Sequence, residues 1–178
     1  SSFSDSRVTI HIEDGRAFAQ RAAAEKKSYD AIFMDMTDPS GPSLALYTRE
    51  FFMIIEHLLK DDLSFFIMHS ESPDLRPNTF AKIHATLNTV FPRVQPMISY
   101  VRMYGGLWSW ALCSKGLKSF STKPSIADER IRERNLQNLK IINEETWSSF
   151  FSLWPVHKTL LLKNTEPATD KNPEYPLN

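Results

Sequence analysis

Glycine is scarce in this chain, with five among 178 residues, and no glycine-rich turn of the kind that cradles phosphate opens the sequence. Cysteine is scarcer: Cys113 stands alone, which excludes an internal disulfide framework and predicts a reducing, cytoplasmic setting. An excess of either charge is also lacking, since 21 basic residues balance 21 acidic ones. That balance excludes nucleic-acid binding through bulk positive charge. The longest apolar runs, such as 63–68, fall far short of the roughly 20 residues that cross a membrane. Positions 1–5 carry neither the basic nor the apolar segment of a secretory signal. What is present is the composition of a folding chain, 42% hydrophobic and 24% charged, and long enough for one domain with a sizeable core.

Strand-like and helix-like patterns alternate. Residues 7–12 alternate apolar and polar side chains like a strand, and 13–15 make a turn. The alanine-rich stretch 16–27 predicts a helix, and the apolar run 31–34 a buried parallel strand. Pro39, Gly41 and Pro42 keep 36–46 irregular. Thr48 is placed to cap a helix whose apolar face is Phe51, Ile54, Ile55, Leu58 and Leu59. A strand over 63–68 follows, then a helix opened by Pro77 with a Phe80, Ile83, Leu87, Val90 stripe. Strands at 94–102 and 108–113 are joined at Tyr104-Gly105-Gly106 as a hairpin. Lys115, Lys118 and Lys123 mark a solvated linker. A charged helix is predicted over 125–139, and a short aromatic one capped by Asn143. The last stretch, 164–178, is polar and carries three prolines, which predicts a loose tail after a domain spanning 1–163.

This order predicts an α/β sheet with helices on both faces. Ligands of such sheets sit at the carboxyl ends of the strands, which puts Asp14, Asp35, His69 and Glu71 along one rim. Asp35 and Asp38 are the strongest local signal, two carboxylates leaving a buried strand in a loop stiffened by prolines. Paired acids there suit a cationic substrate, a metal or proton abstraction. Turn-capping by Asp35, with Asp38 merely preceding a proline, fits the spacing equally well. The scattered histidines show no metal-ligand spacing, and Cys113 reads as a core residue.

The run from Tyr29 to Pro42 (YDAIFMDMTDPSGP) resembles the signature of the spermidine synthases, the polyamine aminopropyltransferases. Five further stretches match in order: 13–16, 46–52, 70–73, 104–109 and 139–153. The resemblance covers nearly all of 7–155 and implies a Rossmann-like fold of the S-adenosylmethionine-dependent methyltransferase type, ending in an antiparallel hairpin. It implies transfer of an aminopropyl group from decarboxylated S-adenosylmethionine, a co-substrate, to a diamine such as putrescine, with methylthioadenosine released and no metal or resident cofactor.

On this resemblance Asp35 orients or deprotonates the attacking amine, and Asp38 holds the substrate's ammonium end. His69 and Tyr104 line the diamine site, and Glu71 reads equally as a pocket acid there or as a loop acid. Asp14 receives the adenine amino group of the donor, Gly15 lets it approach, and Pro42, Ser43 and Leu46 pack on the adenine. The partners implied are two small molecules and a second copy of the chain, with no nucleic acid and no membrane.

The sequence also departs from the family. His69 replaces a glutamine, Trp147 a histidine, and Ile141-Ile142 a tyrosine pair. Residue 1 falls near the family's third strand. The glycine-rich donor loop, the ribose-binding acid and the N-terminal hairpin domain that builds the dimer therefore have no counterpart in 1–178. The expectation is a catalytic half with little turnover by itself and an unpaired sheet edge that favours self-association. A non-catalytic assembly partner, or a methyltransferase using S-adenosylmethionine, are the alternatives.

Overall fold

The computed structural model describes residues 2–116 and 123–176; Lys118 and the last two residues of the tail lie outside them. Four strands form one mixed sheet in the order β1-β2-β4-β3. They are β1 (Ala31–Met34), β2 (Phe65–His69), β3 (Arg93–Val101) and β4 (Gly106–Ser114). β1 and β2 pair in parallel, and β4 runs antiparallel to both β2 and β3. Gly105, at φ +67°, makes the tight reversal between β3 and β4 that a side chain would strain.

Register separates the two faces. Ile32, Phe66, Cys113 and Val94 stand in one row across the sheet, and Met34, Met68 and Ala111 in the next. These side chains meet α1 (Gly15–Ala24), α2 (Arg49–Leu58) and α3 (Pro77–Asn88) in a common core with Ala22, Phe52, Ile83 and Leu87. Each helix starts where its sequence dictates. Asp14 Oδ1 accepts from Ala17 N at 2.8 Å, Thr48 caps Phe51 N, and Pro77 opens α3. Cys113 is fully buried, and burial pushes its thiol pKa up.

The structure corrects four expectations. The segment 7–12 forms no strand, because no strand lies beside it among the described residues, and Ile12 is left 97% exposed. Helices α1, α2 and α3 cover one face rather than both, and at β1 the other face is open, with Phe33 71% exposed. The charged helix, α4 (Pro124–Glu133), stops six residues early, and Asn135 beyond it adopts positive φ. Asn143 caps α5 (Glu144–Trp147) as expected.

The tail is the fourth correction: 164–176 is docked, not loose. Ala168 and Tyr175 are buried, Tyr175 Oη donates to the Tyr47 carbonyl at 2.8 Å, and Ala168 N donates to Thr86 Oγ1 at 3.0 Å. Asp170 accepts from Thr48 Oγ1 at 2.7 Å and pairs with Arg16. One buried tyrosine and one buried alanine, with Asp170 between them in sequence, anchor an otherwise polar stretch. α6 (Pro155–Leu161) packs on α3, and His157 Nε2 lies 2.8 Å from Asp74 Oδ1.

Candidate active site

The face opposite the helical layer carries a cavity of about 430 Å³ at the carboxyl ends of β1 and β2. Asp35 and Asp38 line it from the loop after β1, His69 from the end of β2, and Tyr104, Trp108 and Trp110 from the hairpin. Strand parity explains the company. Phe33 pairs with Ile67, and His69 with Trp110, so a residue two beyond Phe33 reaches the same side as His69. The walls are aromatic: the Tyr104 and Trp108 rings lie 4.6 Å apart, and Trp108 stacks on His69 at 6.3 Å. Two acids at one mouth of an aromatic cavity suit a ligand that is cationic at its ends and apolar between them.

Several bonds hold the acid loop in shape. Ser43 Oγ donates toward the carbonyls of Asp38 and Ser40, at 2.5 and 2.8 Å, and closes a capping box with Ser40. Tyr47 Oη donates to the Thr37 carbonyl at 2.8 Å, between the two acids, and lies 2.8 Å from His69 Nε2. Burial raises the Tyr47 pKa, with the nearby charges of Glu71 and Asp38 adding to it, so the hydroxyl keeps its proton. Burial also lowers the His69 pKa below its ordinary value, leaving a neutral imidazole at pH 7 that does not repel a cation.

Glu71 is fully buried at φ +69°, a backbone conformation unusual for a residue with a side chain. Neither carboxylate oxygen accepts a hydrogen bond of ordinary geometry. Burial, then the charge of Asp38, pushes its pKa up to about 7, against the opposing pull of Arg76. Arg76 Nη1 sits 3.0 Å from Asp38 Oδ2 and 3.7 Å from Glu71 Oε1.

The residues expected to hold the donor are spread differently. Asp14 is the N-cap of α1, and Gly15 lines an apolar hollow of about 340 Å³ beside β1 with Phe18, Ile32 and Phe51. Pro42 lines a separate hollow with Arg16, Thr48 and Asp170. Ser43 and Leu46 are buried beneath the loop. A Cβ at Gly15 would meet nothing within 4 Å, so local packing does not require glycine there. Sequence reasoning did not single out Tyr47, Trp108, Trp110 or Arg76 as site residues. The i, i+2 spacing of the tryptophans on a strand was the available signal; for Arg76 the sequence offered none.

Residues 1–123 match the spermine/spermidine synthase domain family. The chain belongs to that family. It is 35% identical over 170 residues to the polyamine aminopropyltransferase of Nitrosomonas europaea, covering 96% of this chain and 51% of that protein. Polyamine aminopropyltransferase 2 of Hyperthermus butylicus is 33% identical over 175 residues, covering 97% and 56%. Among solved structures, a spermidine synthase in complex with the transition-state analogue AdoDATO aligns at TM-score 0.77 and 29% identity, over 90% of this chain and 53% of that one. Spermidine synthase from Thermotoga maritima aligns at TM-score 0.73 and 27% identity, over 90% and 52%. The chain thus spans about half the length of the curated relatives it matches.

Proposed function

We propose that this chain carries the acceptor half of a polyamine aminopropyltransferase, which moves an aminopropyl group from decarboxylated S-adenosylmethionine to a diamine such as putrescine. The observation that supports it best is the joint lining of one aromatic cavity by Asp35, Asp38, His69 and Tyr104. An alkylamine has a pKa near that of lysine, about 10.4, so near neutral pH it must shed a proton before it can attack. Asp35 takes that proton, while Asp38 holds the distal ammonium with the buried Glu71 carboxylate behind it. The amine lone pair then forms a bond to the carbon beside the donor's sulfonium, and the breaking C–S bond leaves its electrons on sulfur as a neutral thioether. The donor brings its own leaving group, so the chemistry needs proton removal and alignment from the protein. Asp14, Gly15, Pro42, Ser43 and Leu46 are assigned to the donor's nucleoside. A homo-oligomer belongs to the same reading, and the single free cysteine favours a cytoplasmic setting.

Calorimetry with putrescine, methylthioadenosine and S-adenosylmethionine tests the reading. Putrescine binding is expected, weakened by Asp38→Asn roughly 10- to 100-fold, the worth of a charge-assisted contact. Asp35→Asn is expected to leave putrescine bound to this chain and, in the full-length enzyme, to cut transfer about 10²- to 10⁴-fold. Binding of S-adenosylmethionine alone would instead favour a methyltransferase.

A further inference from the structure

Arg76 stands at the N-cap of α3 but makes no side-chain cap, so its guanidinium is free of the helix and points elsewhere. A single nitrogen, Nη1, lies 3.0 Å from Asp38 and 3.7 Å from Glu71. This is one nitrogen between two carboxylates, not the paired fork that makes arginine contacts strong. Arg76 and Asp38 keep 39% and 42% of their side chains in water, while Glu71 keeps none. The Glu71 carboxylate therefore has a cation near it and no hydrogen bond of ordinary geometry, the Ser72 N–H lending it only a weak pull and Asp38 lying close enough to compete for the same donor. A buried carboxylate without donors is costly unless something that donates completes it.

We propose that the Arg76 guanidinium is the molecule's own stand-in for a substrate ammonium, resting on the Asp38–Glu71 pair until a cationic acceptor displaces it. The proposal rests on the acceptor reading above and adds to it an internal competitor that sets acceptor affinity. Three features suit a displaceable group. The arm is long and half in water, the contact is single-pronged, and its anchor is a helix end already fixed by the Arg76 N–H bond to the Ser72 carbonyl at 2.9 Å. An ammonium has three donors on one atom and can serve both carboxylates at once. Arg76 leaves both Glu71 oxygens without a hydrogen bond. Exchange of one for the other is thus favourable for Glu71 and nearly neutral for solvent-exposed Asp38.

The test is putrescine binding at pH 9 by the wild type, Arg76→Met and Arg76→Lys. That pH ionises Glu71 and leaves room for the upward shift that loss of Arg76 causes. Displacing a half-exposed ion pair is worth little, so Arg76→Met is expected to bind roughly two- to five-fold more tightly. Arg76→Lys, which keeps a competing cation, is expected within about two-fold of wild type on the same reasoning. Equal or weaker binding by Arg76→Met overturns the proposal while leaving the acceptor pocket standing. Absence of binding by all three proteins overturns the acceptor reading itself. Should Arg76→Met not fold, Arg76→Gln carries the same comparison.

Discussion

The hydroxyl of Tyr47 sits 2.8 Å from His69 Nε2 and 2.8 Å from the Thr37 carbonyl, joining the end of β2 to the middle of the loop that holds Asp35 and Asp38. The tyrosine proton goes to Thr37 and the imidazole tautomer sets the direction of the Tyr47–His69 bond, so one buried side chain touches both the loop and the ring. Tyr47→Phe keeps the ring and removes both bonds. We expect a loss of about 1–3 kcal/mol in urea denaturation, the usual cost of orphaning buried polar groups. Putrescine affinity should fall with it, because the loop and His69 lose their common tie. An unchanged midpoint and affinity would show that water replaces the hydroxyl at no cost.

Glu71 gives stability a pH dependence with a definite sign. Its pKa is raised from 4.5 to about 7 in the fold, so the folded chain holds this proton more tightly than the unfolded chain does. The associated stability is complete below pH 4.5 and lost as pH rises to about 7. Glu71→Gln removes that loss. The variant should gain on wild type between these pH values, by on the order of 3 kcal/mol above pH 7. Parallel melting curves of the two proteins across this range would contradict the assignment.

His84 works in the opposite direction. It is fully buried in α3, its Nε2 is 3.1 Å from Ser70 Oγ, and burial drops its pKa to about 3. A depressed histidine stabilises the fold above its ordinary pKa of 6.5 and ceases to as pH falls toward 3. Acid should therefore cost wild type several kcal/mol, on the order of 5, spread over that span. Between pH 6.5 and 4.5 the stability that Glu71 gains on protonation partly masks it. His84→Gln, measured at pH 7 and pH 4 in a Glu71→Gln background, should flatten the slope. A steep acid loss surviving in the double variant would place its cause elsewhere.

The tail offers a prediction free of titration. Tyr175 is buried against Lys82 and Tyr47, its ring 6.0 Å from that of Tyr47. Tyr175→Ala should cost about 3–5 kcal/mol, as large aromatic truncations do. Deletion of 164–178 should cost at least as much, since it also removes Asp170 from Arg16 and Thr48. Thermal melting of the two variants against wild type reads this directly. A deletion with an unaltered melting temperature would mean the tail rests on the domain without supporting it.

The paired acids, the capped helices and the hairpin at Gly105 were legible in the sequence, because each depends on neighbours within a few positions. Thr48 caps its own third residue, Asn143 does the same, and Asp35 to Asp38 spans one proline-stiffened loop. The motif order, too, was enough to place the chain in its family. Tertiary structure decided what spacing cannot reach. The strand pattern at 7–12 is genuine, yet a strand exists only through hydrogen bonds to a neighbour, and none lies beside it among the described residues. The tail looked too polar to fold, yet Tyr175 finds a partner 128 residues away in Tyr47. Arg76 is an ordinary loop arginine until the fold sets it between Asp38 and a Glu71 carboxylate sealed from water. Local propensity and side-chain order are written along the chain, whereas desolvation and long-range pairing arise only when distant segments exclude water together.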